Sequence, residues 1–217
     1  MAKRRLLAAL LWLAALPPAG RARAQGDGAY GRLDADLALS AALGAGAAFG
    51  DRNGADATLA LGLELRARLV ETAGLFLAAE WRPEGSSRVV VGVDLRPVFL
   101  ARFFLGAETG QEWIDLLVDS IGLDLGAALG PLDAGVGVGT AVGLGLDVPL
   151  HVPGPGDPLV FLHLSGRWVS GLPSDRLGPV GGTDDVVVLG LLGVRGLVDV
   201  GLAGWEPARY DVRAPEE

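Results

Sequence analysis

Cysteine is absent from all 217 residues, so the chain can form no disulfide, no thiolate metal site, no cysteine nucleophile and no lipidated N-terminal cysteine. Lysine occurs once, at Lys3, and histidine twice, at His151 and His163, too few imidazoles for a histidine-rich metal centre. Beyond the first 24 residues no uninterrupted apolar run approaches the roughly 17–25 residues of a membrane-spanning helix. Mean hydropathy is nevertheless +0.40, with half of the residues apolar. A chain of this kind can cross a membrane only as closed strands, because lipid offers backbone groups no hydrogen-bond partners.

The N-terminus carries Lys3, Arg4 and Arg5, an apolar run from Leu6 to Leu16, Pro17-Pro18, and the small-residue site Ala22-Arg23-Ala24 before Gln25. That order of basic, apolar and cleavable segments is a secretory signal. The sequence therefore predicts a cleaved signal over 1–24, a barrel domain over 25–206 and a polar tail over 207–217. Removing the five basic residues of the signal from the total of 18 leaves 13 Arg against 26 Asp and Glu, a net charge of −13. An acidic mature chain has no electrostatic footprint for nucleic acid.

What the chain has in abundance is alternation. From Leu33 to Phe49 the odd positions are Leu33, Ala35, Leu37, Leu39, Ala41, Leu43, Ala45, Ala47 and Phe49, while the even ones are small or polar. Such a strand exceeds the ~5–6 residues usual in soluble sheets and suits a membrane-spanning wall. The same period of two predicts strands over 58–70, 75–82, 89–96, 119–129, 134–148, 159–169 and 185–205, eight in all with the first. Asn53-Gly54, Gly130-Pro131 and the Pro/Gly-rich segment 153–158 supply turns. Residues 108–118 lose the period and predict a short helix outside the wall. A ten-strand count, with Val98–Leu105 as a strand and a hairpin at Arg195-Gly196, is the alternative.

One phase of these strands collects Glu64, Arg66, Arg68, Glu80, Arg82, Asp94, Arg96 and Asp124. Charges removed from water persist only when paired, so this set predicts an Arg–carboxylate network in the lumen, with opposite signs meeting on neighbouring strands. The strand over 134–148 is nearly bare on its inner phase, and its glycines read as space for long Arg and Glu side chains. Phe49, Trp81 and Trp168 end odd-numbered strands on the outward phase and so belong to one membrane edge; Trp205 ends the last strand and belongs to the opposite edge. A soluble β-sandwich would instead bury Leu37, Leu63 and Val138 together and leave Arg66 and Glu80 in water.

In this pattern the chain resembles the small bacterial outer-membrane β-barrels of the OmpA transmembrane type. The resemblance implies an all-β, closed antiparallel up-and-down barrel, export to the bacterial outer membrane, and insertion by the barrel-assembly machinery. It further implies contact with outer-membrane lipid and lipopolysaccharide, and a role in structure or surface interaction.

His163 and Ser165 share one strand face two residues apart. The spacing resembles the His-x-Ser pair of outer-membrane lipid A deacylases, in which serine is the nucleophile and histidine its base. No carboxylate follows at a matching place, and any strand produces that spacing, so the pair reads as lumen lining and hydrolysis as an alternative. The glycines of 135–145 are followed by no Gly-Lys-Ser/Thr and no helix start, which excludes a phosphate loop. Asp34 with Asp36 and Asp184 with Asp185 are oxygen pairs too small for the 6–8 ligands of Ca²⁺ and read as strand ends. The sequence predicts no metal and no cofactor, and leaves a narrow channel as a third function.

Overall fold

The computed structural model describes residues 35–50, 57–83, 87–130, 132, 136–151, 157–172 and 183–200. The signal segment 1–24, the tail 207–217, Trp205 and the Asn53-Gly54 turn lie outside the described residues.

Eight antiparallel strands form one closed barrel in sequence order: β1 (Leu37–Gly50), β2 (Thr58–Leu69), β3 (Ala73–Trp81), β4 (Arg88–Leu95), β5 (Gly122–Gly130), β6 (Gly137–Pro149), β7 (Leu159–Leu172) and β8 (Thr183–Val198). β8 returns to pair with β1 from Leu37↔Val198 to Gly50↔Asp185, so no sheet edge is left open. The ten-strand alternative is thereby overturned: β8 runs through Arg195-Gly196 to Val198 as one strand. Its outward phase, Val186, Val188, Leu192 and Val194, does not break there.

Residues 98–105 are not a strand but part of a helix, α1 (Pro97–Leu105), and the single helix expected over 108–118 becomes a second one, α2 (Glu112–Asp119). Pro97 sits in the first turn, where its missing N–H costs nothing, and Gly106 ends α1 in the left-handed conformation at φ 59°. Asp115 then fixes the connection. Its carboxylate accepts from the backbone N–H groups of Thr109 (3.0 Å) and Gly110 (3.1 Å) and from the Thr109 hydroxyl (2.9 Å). It also pairs with Arg102 of α1, whose other arm reaches Asp119 at 2.7 Å. The hairpin lies at the barrel end that carries Leu37 and Val198, beside the foot of β6.

The outside is apolar and the inside charged. In register, Leu192, Leu43 and Leu63 stand side by side on β8, β1 and β2, exposed by 57%, 68% and 46%, and Val138 by 67%. Arg66 and Glu80 point the other way and are buried. This is the reverse of a soluble sandwich.

The β2–β3 connection is strained. Val70 and Glu71 both have positive φ, 48° and 56°, in a turn closed by Thr72 N–H to the Leu69 carbonyl at 3.0 Å. Two successive left-handed residues make the hairpin turn that normally takes Asn or Gly, and a β-branched valine there is an outlier. The left-handed conformation costs a non-glycine residue about 1–2 kcal/mol, and Asn tolerates it best among the others. Val70→Asn is accordingly expected to raise unfolding stability by about 1 kcal/mol, read as a later urea midpoint of the protein in lipid vesicles. An unchanged or earlier midpoint would show that the turn is not under strain.

Candidate functional site

The inward phase of eight strands converges on a lumen about as wide as side chains can fill. Of the charges expected there, Glu64, Arg66, Arg68, Glu80, Asp94, Arg96 and Asp124 are buried and Arg82 is half-buried. Arg66 of β2 reaches across to β5 and takes Asp124 with both arms, at 2.8 and 2.9 Å. The same guanidinium meets Glu64 at 2.6 Å and Asp94 at 3.0 Å. Such bidentate, charge-assisted contacts are the stronger class of hydrogen bond.

Most partners are not on neighbouring strands, contrary to the sequence expectation. Arg167 of β7 holds Glu80 of β3 at 2.6 Å and Glu64 of β2 at 2.9 Å. Arg68 pairs with Asp94, and Arg96 pairs with Asp147 of β6. Two pairs follow the cross-strand rule among the described residues: Arg88 with Glu80, opposite each other in the β3–β4 register and 2.6 Å apart, and His163 with Asp147, opposite each other in the β6–β7 register and also 2.6 Å apart. The reason is reach: in so narrow a barrel a guanidinium extends to the far wall as readily as to the adjacent strand.

Sequence reasoning left out Glu71, Arg88, Asp147, Arg167, Asp185 and Arg195. Arg195 of β8 pairs with Glu71 at 3.0 Å, while Asp185 takes Arg82 and also Arg88, the latter at 2.7 Å. Asp147 and Arg167 stood on the inner phase of their strands, a signal that could have found them; Glu71 could not be found, because only the strained turn folds it under the lumen. Two cations approach Phe76, its ring centre 5.4 Å from Arg66 and 5.3 Å from Arg167. The lumen also has an apolar side that alternation did not reveal, built by Leu159, Phe161, Val187, Leu189 and Leu191 with Ala42, Ala48 and Ala60.

The glycines of β6 leave space for different neighbours: a Cβ on Gly143 would stand 3.3 Å from Asp124 and 3.6 Å from Arg167, whereas Gly145 makes room for an imidazole. A Cβ on Gly145 would stand 2.8 Å from the His163 ring, so the imidazole occupies that gap. His163 is buried with Nδ1 2.6 Å from Asp147, and its Nε2 lies 3.1 Å from Arg66 Nη2 and 3.4 Å from Glu64. A carboxylate thus does orient His163, from upstream in the chain and not downstream. A guanidinium can only donate, however, so an Nε2 that faces Arg66 and Glu64 is not free to accept a proton from Ser165. Ser165 is itself buried at 3% exposure. Asp36 accepts the Val200 N–H at 2.8 Å and Asp184 accepts the Ser170 hydroxyl at 2.7 Å, while Asp34 lies outside the described residues.

Phe49, Trp81 and Trp168 are all exposed on the outer face, and Phe49 and Trp168 flank the same β8 residue, Val186. Trp81 is the last residue of β3 at that end of the barrel.

Neither a protein-family model nor a curated protein matches the chain. Among solved structures it is similar to the outer membrane protein OprG of Pseudomonas aeruginosa, at 12% identity over 74% of this chain and 96% of that one, with a TM-score of 0.41. It is also similar to Neisserial surface protein A, at 9% identity over 76% and 98%, TM-score 0.42. The Yersinia pestis outer membrane protein Ail matches at 14% identity over 75% and 99%, TM-score 0.36. These are outer-membrane proteins, the class that the alternation resembles. The similarity transfers no residue role.

Truncating one member of a buried ion pair leaves its partner uncompensated, which costs about 3–5 kcal/mol. Arg66→Ala is expected to lose that much in urea unfolding from lipid, whereas Asp157→Ala, at an exposed connection, stays within ~0.5 kcal/mol. Small and equal losses would indicate charges that remain hydrated. Acid adds a second check through the Glu71 turn. Burial alone would raise the Glu71 carboxyl, but Arg195, Arg68 and Arg96 hold it below its ordinary value of 4.5. A carboxyl lowered by folding contributes stability above its unfolded pKa and loses that contribution as pH falls through its folded pKa. Stability is therefore expected to drop as pH passes below 4.5, with a shallower drop in Glu71→Gln; parallel profiles would refute the role.

Proposed function

We propose that this protein is an integral barrel of the bacterial outer membrane whose lumen is plugged by paired charges, and that it serves as a rigid scaffold presenting its connecting loops. Its role on this reading is structural or one of surface interaction, and it is not an enzyme. The observation that carries the reading is the inverted distribution of polarity. Leu43, Leu63, Val138 and Leu144 cover the outside while Arg66, Asp124, Arg167 and Glu80 bridge opposite walls inside. An apolar surface on this scale is not tolerated by a monomer in water, and lipid is the solvent that satisfies it.

Two other functions find less support. A hydrolase would need the His163 imidazole free for Ser165 and a path for a lipid to reach both, whereas both are buried and the imidazole nitrogens face Asp147, Glu64 and Arg66. A channel would need a continuous opening past the Arg66–Asp124 bridge. The surrounding partners on this reading are outer-membrane lipid, lipopolysaccharide and, during insertion, the barrel-assembly machinery.

The class is tested by membrane fractionation together with heat-modifiable migration in detergent gels, both expected to be positive. In planar bilayers the purified protein is expected to show no conductance steps, and with lipopolysaccharide it is expected to release no fatty acid. Steps would establish the channel; release that Ser165→Ala abolishes would establish the hydrolase.

A further inference from the structure

We propose that the α1–α2 hairpin is a membrane-interface anchor, in which the exposed face of α1 beds among lipid acyl chains at the end of the barrel that carries both described termini. The inference rests on the reading that the outer wall faces lipid.

The wall itself shows why an anchor is needed at this place. A spanning strand takes about 9–11 residues; β4 has only 8, and β3 and β5 on either side of it have 9, the low end of that range. α1 begins two residues after β4 ends, so it continues apolar surface where the strands stop short.

The chemistry of the hairpin is sorted accordingly. Leu100, Phe103, Phe104 and Leu105 are exposed, the last two by 79% each, while Phe99, whose ring packs 5.9 Å from that of Phe103, is buried and sets the helix's orientation. The one charge of α1, Arg102, is turned to Asp115 and Asp119 of α2 and away from the apolar face. An interfacial helix buries such a face roughly 5–10 Å into the headgroup and acyl boundary. Trp113 of α2 completes the arrangement. Its indole N–H donates to the Pro149 carbonyl at 2.9 Å while its ring stays half-exposed beside the exposed Leu150, the position of an aromatic at a membrane edge. The face is thus continuous with the lipid-facing belt, and lipid is the occupant that this continuity selects over a second copy of the chain or a soluble apolar partner.

Because the chain has no cysteine, Phe104→Cys introduces a unique thiol for a nitroxide label, with Leu105→Cys as a second site should the first fold poorly. Leu43→Cys reports the barrel wall and Asp157→Cys an exposed connection. The full chain is reconstituted in phosphatidylethanolamine–phosphatidylglycerol vesicles, and each label is tested for collision with oxygen, which favours acyl chains, and with a water-soluble nickel chelate. The expected result is oxygen preference at Phe104 and at Leu43, with the reverse at Asp157. A Leu43 label that prefers the nickel chelate would overturn the barrel reading and the anchor with it. A Leu43 label in lipid beside a Phe104 label that matches Asp157 would overturn the anchor alone. So would a Phe104 label shielded from both reagents and broadened as the protein-to-lipid ratio rises, which marks a second copy on that face.

Discussion

Charges held inside a closed wall have to cancel, and the rest of this structure follows from how they do so. Among the described residues the lumen ion pairs join seven guanidiniums, of Arg66, Arg68, Arg82, Arg88, Arg96, Arg167 and Arg195, to seven carboxylates, of Glu64, Glu71, Glu80, Asp94, Asp124, Asp147 and Asp185. Lipid outside forces each strand to send its polar phase inward, where the penalty for an unpaired ion is several kcal/mol. Cancellation by neighbours alone would leave the barrel a ring of separate pairs. Because Arg66 joins β2 to β5 and Arg167 joins β7 to β2 and β3, the pairs become struts across the cylinder.

The choice of cation matters to that geometry. A lysine ammonium is a point charge, whereas a guanidinium divides its donors among several acceptors in one plane and stacks on aromatic faces. Arg66 uses all of this: two arms on Asp124, contacts to Glu64 and Asp94, and a face toward Phe76. Arg167 faces the same ring, and the two guanidiniums share the carboxylates of Glu64 and Asp124, whose charges offset their mutual repulsion. Opposite this polar half, Phe161, Leu189 and Leu191 fill the lumen with apolar volume, made possible by Gly62 and Gly193, whose missing Cβ atoms would fall 2.7 Å from Leu189 and 2.5 Å from Phe161.

Most of the fold was legible because a half-buried strand writes its orientation into alternate positions, and lipid exaggerates the contrast. β1 and β6 could be read nearly residue by residue. The strand alternative over 98–105 has a simple cause: Pro-Val-Phe-Leu-Ala-Arg-Phe-Phe-Leu carries a single polar residue, Arg102, so period could not separate strand from helix, and Pro97 and Gly106 were the only punctuation. The composition of the lumen was half legible. Phase located the charges of β2 to β5, but it could not say that partners lie across the lumen, since that depends on barrel diameter. Nor could it find Glu71, which reaches the lumen through backbone strain at a turn. On β8 both phases are apolar from Val186 to Leu192, a sign that neither side meets water, and that sign went unused.

That same stretch of β8 poses a problem that the charges solve. Its middle, from Val186 through Val194, repeats Val, Leu and Gly so closely that sliding by two residues along β1 would keep an apolar side chain at nearly every inward and outward position. Close packing opposes the slip at three points, since a Cβ would fall 2.1 Å from the Gly190 carbonyl at Gly44, 1.9 Å from the Val188 carbonyl at Gly46 and 2.5 Å from Phe161 at Gly193. The barrel closes at this seam, and register is weakly specified where the pattern is degenerate. On the inward phase β8 carries one anion and one cation, Asp185 near its start and Arg195 near its end, each met by a partner fixed elsewhere in the barrel: Arg82 and Arg88 for the first, Glu71 for the second. A two-residue slip would pull both ends from their partners at once and bury two uncompensated ions, a penalty that no apolar contact in the middle could offset. The charged ends of β8 therefore act together with these glycines to set the register of closure, and the strained β2–β3 turn, by holding Glu71 where Arg195 arrives, belongs to that mechanism and not to local hairpin chemistry alone.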